Sequence, residues 1–201
     1  MEPLFISGPH GCGKTLLIKR LIERYSDVMV DDFGINFVND LPKISKMSIY
    51  EKSLLRLYHR FYSARRAQFI CANNPQKGVL IVDRSIYDSI VYNEVEYELG
   101  NLTKLQIDRL NDIAEQALQI ISPKTIILNP ATEGVVEYLS IRQKTKLRKK
   151  RDEICAREDT YDYLSRMKVK YENIERRTIK KIYSNDDKSC ADVYRWIKQF
   201  Y

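Results

Sequence analysis

Residues 3–25 read PLFISGPHGCGKTLLIKRLIERY, and the middle of that stretch, GPHGCGKT at 8–15, sets the reading of everything around it. Pro3 to Ser7 carries apolar residues without alternation, the pattern of a short strand covered on both faces. From about Lys14 to Tyr25, Leu17, Leu21 and Tyr25 recur one turn apart, the pattern of a helix. Between them stands a complete G-x-x-x-x-G-K-[ST] motif in the strand-to-helix setting it requires. Gly8, Gly11 and Gly13 let the backbone bend so that successive N–H groups and the helix N-terminus face phosphate oxygens. Lys14 adds a mobile positive charge for β- and γ-phosphates, and the Thr15 hydroxyl suits a Mg²⁺ ligand. Gly8, Pro9, His10, Gly11, Cys12, Gly13, Lys14 and Thr15 are therefore the expected triphosphate cradle, with His10 and Cys12 at its free positions as packing residues.

Outward from this loop, short apolar strands alternate with helices. Val28 to Val30 forms a second strand ending at Asp31 and Asp32, and Ser48 caps a long helix reaching about Ala72, with Tyr50, Leu54, Leu57, Phe61 and Ile70 along one side. VLIVD at 79–83 is a third strand; one helix then runs to Gly100 and another opens on a Thr103/Gln106 capping box. Lys124 to Leu128 is a fourth strand, and Thr132 caps a helix leading into a basic stretch. A helix bearing Tyr163, Met167, Tyr171 and Ile174, a strand near Ile179 to Tyr183 and a terminal helix from about Ser189 to Phe200 complete the chain. This alternation predicts an α/β fold with a mainly parallel sheet and helices on both faces.

The 201 residues suit one domain, 1–201. With 44% hydrophobic residues and only 7 Gly and 6 Pro, a packed core is expected rather than disorder or a fibre. No apolar run approaches the ~18 residues of a membrane span, and the first residues lack the basic start of a secretory signal. A cytoplasmic place is expected, or a nuclear one in a eukaryote, with no membrane partner. Cys12, Cys71, Cys155 and Cys190 lie far apart, without zinc-site spacing or a disulfide framework. The net charge of +7 is concentrated between Arg142 and Arg157, where eight basic residues face two acidic ones.

A phosphate loop leaves the acceptor open. The N-K-x-D element by which GTPases read guanine is missing, and motor ATPases need a larger body, so a small kinase is the expectation. The stretch VLIVDRSIYDSIVYNEVEYELGN at 79–101 resembles the deoxynucleoside kinase family, whose third strand ends in [DE]-R-S followed by an aromatic and a further acidic or hydroxyl residue. Together with GPHGCGKT, FYSARRAQF at 61–69 and the basic stretch before YDYLSRMKVKYENI, the resemblance spans roughly 3–185. Thymidylate kinases share the arrangement with a D-R-[YF] motif. The resemblance implies a three-layer P-loop NTPase fold with a five-stranded, mainly parallel sheet. It also implies ATP as donor, Mg²⁺, and a nucleoside or nucleotide acceptor, and leaves a homodimer open.

On the residues themselves, Asp83 ends a buried strand beside the loop, where a carboxylate holds Mg²⁺ directly or through water. Arg84 then clamps the acceptor's 5′-end or its phosphate, the alternative being an Asp83–Arg84 structural pair. Asp31 stands where the family carries the carboxylate that takes the proton from the acceptor 5′-hydroxyl, and Asn36 falls where its E-P-x-x-x-N pattern places asparagine. Asp-Asp replaces the family's Glu-Pro, so Asp32 is a rival base, and both could instead cap a turn. No arginine lies between Arg24 and Arg56, where thymidylate kinases carry the one that serves a monophosphate acceptor, and this favours a nucleoside.

On the long helix, Arg56, His59, Ser63 and Arg66 form one polar face, which could equally be solvated. By resemblance Arg66 lies near the acceptor base, with Arg65 as the alternative register. The basic stretch, about 142–158, looks like the family's lid, which brings arginines over the transferring phosphoryl group; Arg148, Arg151 and Arg157 are the candidates. A nucleic-acid surface is the competing reading, disfavoured because no aromatics interleave with the basic residues.

Overall fold

The computed structural model describes residues 3–31, 46–74, 78–144 and 156–200. Among the described residues five strands and seven helices follow one another: β1 (Leu4–Ser7), α1 (Lys14–Arg24), β2 (Val28–Asp31), α2 (Ile49–Asn73), β3 (Val79–Asp83), α3 (Ile86–Glu98), α4 (Lys104–Ile121), β4 (Lys124–Leu128), α5 (Thr132–Lys144), α6 (Tyr161–Glu172), β5 (Ile179–Ile182) and α7 (Asp187–Ile197). The strands form one sheet in the order β2-β3-β1-β4-β5. Every neighbouring pair is parallel, with Phe5 opposite Val82 and Thr125. The mainly parallel sheet expected from the sequence is parallel throughout these strands.

Because successive side chains of a strand point to opposite faces, each sheet face builds its own core. Leu4, Ile6, Val79 and Ile81 pack with Leu17 and Leu21 of α1, Met167 and Tyr171 of α6 and Val193 of α7. Phe5, Leu80 and Val82 pack on the other face with Leu57 and Ala64 of α2 and Leu110 and Ala114 of α4. Two helical layers thus cover the sheet, which explains why these strands read as continuous apolar runs.

The helix boundaries follow local chemistry. Ser48 caps α2 through Glu51 N–H and Thr103 caps α4 through Gln106 N–H, each in a reciprocal capping box. Small departures from the sequence reading occur at ends. Thr132 is the first residue of α5 rather than its cap, α6 stops at Glu172 so that Ile174 lies beyond it, and α7 spans 187–197.

A parallel sheet gathers all its strand ends on one edge, which is where ligands of open α/β folds bind. Ser7, Asp31, Asp83 and Ile182 end their strands on this edge, so the phosphate loop, both candidate carboxylates and the β5–α7 turn are set along it, with Asp83 and β4 next to the loop and Asp31 and the β5–α7 turn at opposite ends.

Candidate active site

The phosphate loop wraps its own lysine. Lys14 Nζ donates to Gly8 O at 2.8 Å and Pro9 O at 2.7 Å, and the residue is only 6% exposed. Gly13, the residue before α1, has φ 97°, and Gly8 has φ 143°, both in the region that favours glycine. At Gly8 no other residue fits, because a Cβ would stand 2.2 Å from Leu128 O of β4. Asn185, in the turn after β5, donates to Gly13 O at 3.4 Å, and its carbonyl accepts from Arg20. The loop is therefore braced from β4 and from β5. Burial pushes the Cys12 thiol up, which fits a packing role. His10 does more than pack: its Nδ1 lies 2.8 Å from Tyr92 Oη of α3, and its Nε2 lies 2.9 Å from Asp159.

After β3 the chain turns sharply. Arg84 adopts φ 77°, donates its N–H to Ile6 O at 2.8 Å, and is followed by Ser85, which caps α3 in a box with Asp88. Asp88 is fully buried and joins four elements. It accepts from Gly8 N–H (3.3 Å), Ser85 N–H (2.8 Å), Arg84 Nη1 (3.2 Å) and Tyr171 Oη of α6 (2.8 Å). Burial alone would raise its pKa, but Arg84, Arg60 and Lys14 hold it below the usual carboxylate range. Arg84 thus pairs with Asp88 and not with Asp83, correcting the structural pair considered from sequence. Asp83 is exposed at the strand end.

Across this site runs α2. Arg66 forms an ion pair with buried Asp31, which brings two sequence-derived residues together, whereas Arg65 bonds Gln68 on the exposed side at 2.7 Å. Of the two arginines, Arg66 meets the end of β2 and Arg65 stays on the exposed side. The polar face of α2 is turned inward rather than solvated: Arg56 meets Glu158 at 3.0 Å, Ser63 is buried, and Arg60 donates to Ser89 Oγ at 2.6 Å.

Arg157 lies elsewhere than expected of a lid arginine. It pairs with Glu96 near the far end of α3 at 3.4 Å and reaches Asn101. From Asp88 to Glu96 is eight residues, about 12 Å along the helix. Residues 157, 158 and 159 in succession bind α3, α2 and the phosphate loop. Arg148, Arg151, Asp32 and Asn36 lie outside the described residues.

Among the described residues no group of three His, Cys, Asp or Glu stands ready for a metal, and no helix is long and apolar enough to cross a membrane. Mg²⁺ in phosphoryl-transfer sites needs only one or two protein oxygens beside phosphate and water. Thr15, exposed at the start of α1, and Asp83, exposed at the strand end opposite Ile6, are the residues that would hold it.

A strand, a glycine-bent loop closed on a lysine and a helix, set at the carboxyl edge of a five-stranded parallel sheet, define a P-loop nucleotide-binding protein. An AAA-domain family matches residues 4–165, and the chain belongs to that family. Among solved structures it is similar to deoxyadenosine kinase from M. mycoides with bound dATP, at 13% identity and TM-score 0.65, covering 96% of this chain and 97% of that one. The same kinase with dCMP and dCDP matches at 14% identity and TM-score 0.64, covering 99% and 100%. Its dCTP complex matches at 14% and 0.65, also covering 99% and 100%. At these identities the likeness is one of fold. No curated protein sequence matches the chain.

Proposed function

We propose that the protein transfers the γ-phosphoryl group of ATP, with Mg²⁺, to the 5′-hydroxyl of a deoxynucleoside. The observation that carries this reading is that Asp31, paired with Arg66, ends its strand on the same sheet edge as the phosphate loop and the Asp83–Arg84 turn. The fold shared with deoxyadenosine kinase supports it.

In this reading the backbone of Gly8 to Thr15 and the Lys14 ammonium hold the β- and γ-phosphates. Thr15 and Asp83 hold Mg²⁺, which neutralises phosphate charge when bound. Arg66 fixes the Asp31 carboxylate, and Arg84 orients the 5′-end of the acceptor. The bond from the γ-phosphorus to the β–γ bridging oxygen breaks as the bond to O5′ forms; the 5′-hydroxyl proton passes to Asp31, and ADP departs. Arg148 and Arg151 are the remaining candidates to cover the transferring group. Arg157 would first have to leave Glu96.

The test is a panel of ATP with each deoxynucleoside and each monophosphate. Nucleosides should react with the higher kcat/KM. Asp31→Asn should lower kcat by about 10²- to 10⁴-fold with a much smaller change in KM, since proton acceptance matters mainly in the transition state. Silence at Asp31 with loss at Asp32→Asn would move the base by one residue. Turnover of monophosphates alone would make the enzyme thymidylate kinase-like, and ATP hydrolysis stimulated by nucleic acid without any acceptor would overturn the kinase reading.

A further inference from the structure

Along its 25 residues α2 carries two stripes rather than one. The inner stripe, with Leu57, Ala64, Ala67 and Cys71, is buried in the core that α2 shares with α3 and α4. On the far side of the helix Leu55, Tyr58, Tyr62, Arg65, Phe69 and Ala72 recur at alternating intervals of three and four residues. Tyr58, Tyr62 and Phe69 are 55%, 59% and 70% exposed, Arg65 and Ala72 are exposed, and Leu55 is half-buried.

Single exposed aromatics are ordinary on a protein surface. A row of large side chains at a repeat of about 3.5 residues is different, because that repeat is the seam along which one helix packs against another. From Leu55 to Ala72 the row is about 26 Å long, enough for several turns of contact.

The seam matches itself when a second copy of the helix runs antiparallel. With the two-fold axis between Tyr62 and Arg65, Leu55 faces the partner's Ala72, Tyr58 faces the partner's Phe69, and Tyr62 faces the partner's Arg65. Each contact then occurs twice, as a two-fold interface requires. Aromatic rings meet aromatic rings, the smallest side chain meets a leucine at each end, and the Arg65 guanidinium meets a tyrosine ring, an attractive pairing. In the monomer Arg65 bonds only the neutral Gln68 side chain among the described residues, so its charge is open to that ring. A parallel pair would instead set the two Arg65 side chains against each other, and like charges disfavour it.

We propose that the protein forms a homodimer through this seam, as an antiparallel pair of α2 helices centred between Tyr62 and Arg65. The interface stands apart from the kinase reading, which uses Arg66 of the same helix.

The test is sedimentation equilibrium of the full chain over a wide range of concentration, beside a thermal melt that reports folding. The wild-type protein should associate to dimers and no further, because the same face is used up on both copies. Tyr58→Lys and Phe69→Glu should each weaken the dimer at least ~10-fold, the scale of losing an aromatic anchor. The double variant should dimerise more tightly than either single one, since the new ammonium and the new carboxylate face each other twice across the antiparallel pair. A parallel pair would bring like charges together in the double variant and weaken it further. Should one single variant fail to fold, the other decides against the wild type. A monomeric wild-type protein, single variants that associate as tightly as the wild type, or a double variant weaker than both singles would overturn the proposal.

Discussion

Lys14→Ala should lower the rate of phosphoryl transfer at least ~10²-fold, the scale of losing one preorganised donor to a developing charge, while leaving the fold in place. The structure supplies the second half of that expectation. The ammonium binds two carbonyls, Gly8 O and Pro9 O, and has no carboxylate partner among the described residues. Removing it deletes the bonds to those carbonyls and to the Cys12 sulfur and takes one of three nearby cations from Asp88, which keeps its pair with Arg84, a stability cost of about 1–3 kcal/mol. Bonds to carbonyls are also easily exchanged for bonds to phosphate oxygens, so the lysine is held ready without being locked in an ion pair. Turnover measured with labelled ATP beside a thermal melt checks both halves. Wild-type turnover in the variant would remove the loop from the reaction.

Asp88→Ala should be the most damaging single change for stability, at about 3–5 kcal/mol, because removing one partner of a buried ion pair leaves the other uncompensated. Here the orphaned groups are Arg84, with Arg60 close by, and the donors of Gly8, Ser85 and Tyr171 also lose their acceptor. Asp88→Asn keeps acceptor oxygen and shape but not charge, so it should cost less. The pH dependence has a definite sign. The folded carboxyl titrates below its unfolded value, so its stabilisation is fully present above about pH 4 and fades as the pH falls through the folded pKa. The stability gap between the wild-type protein and Asp88→Asn, measured by denaturant unfolding, should be widest near neutrality and close in acid. A gap that stays constant from pH 7 to pH 3 would show that charge is not what Asp88 contributes.

The fold was legible because its signals are local. The apolar strand before GPHGCGKT, the Thr103/Gln106 box and the VLIVD run each lie within a few residues, and each forms the expected element. Position in the fold was legible where a single residue carries the signal: Lys14 opens α1, and Asp31 and Asp83 end their strands. It was not legible where meaning lies in contact across the chain. Asp88 binds Tyr171 from 83 positions away, and Glu158 binds Arg56 from 102. Arg60 carries no signal of its own in the sequence, and only the packing of α2 over α3 buries it against Ser89. Arg157 belonged by composition to the basic stretch, yet Glu96, a residue in an otherwise unremarked helix, claims it.

The φ of 77° at Arg84 has a consequence for how this protein can change. A side chain in the left-handed region costs roughly 1–2 kcal/mol, which glycine would not incur. The contacts of Arg84 with Ile6, Asp88 and Tyr92 hold it there regardless. Arg84→Gly would relax that strain but strand the buried Asp88 carboxylate, a loss of about 3–5 kcal/mol that outweighs the gain. Stability and chemistry therefore hold the same strained residue in place, and the turn is closed to the substitution its backbone alone would favour.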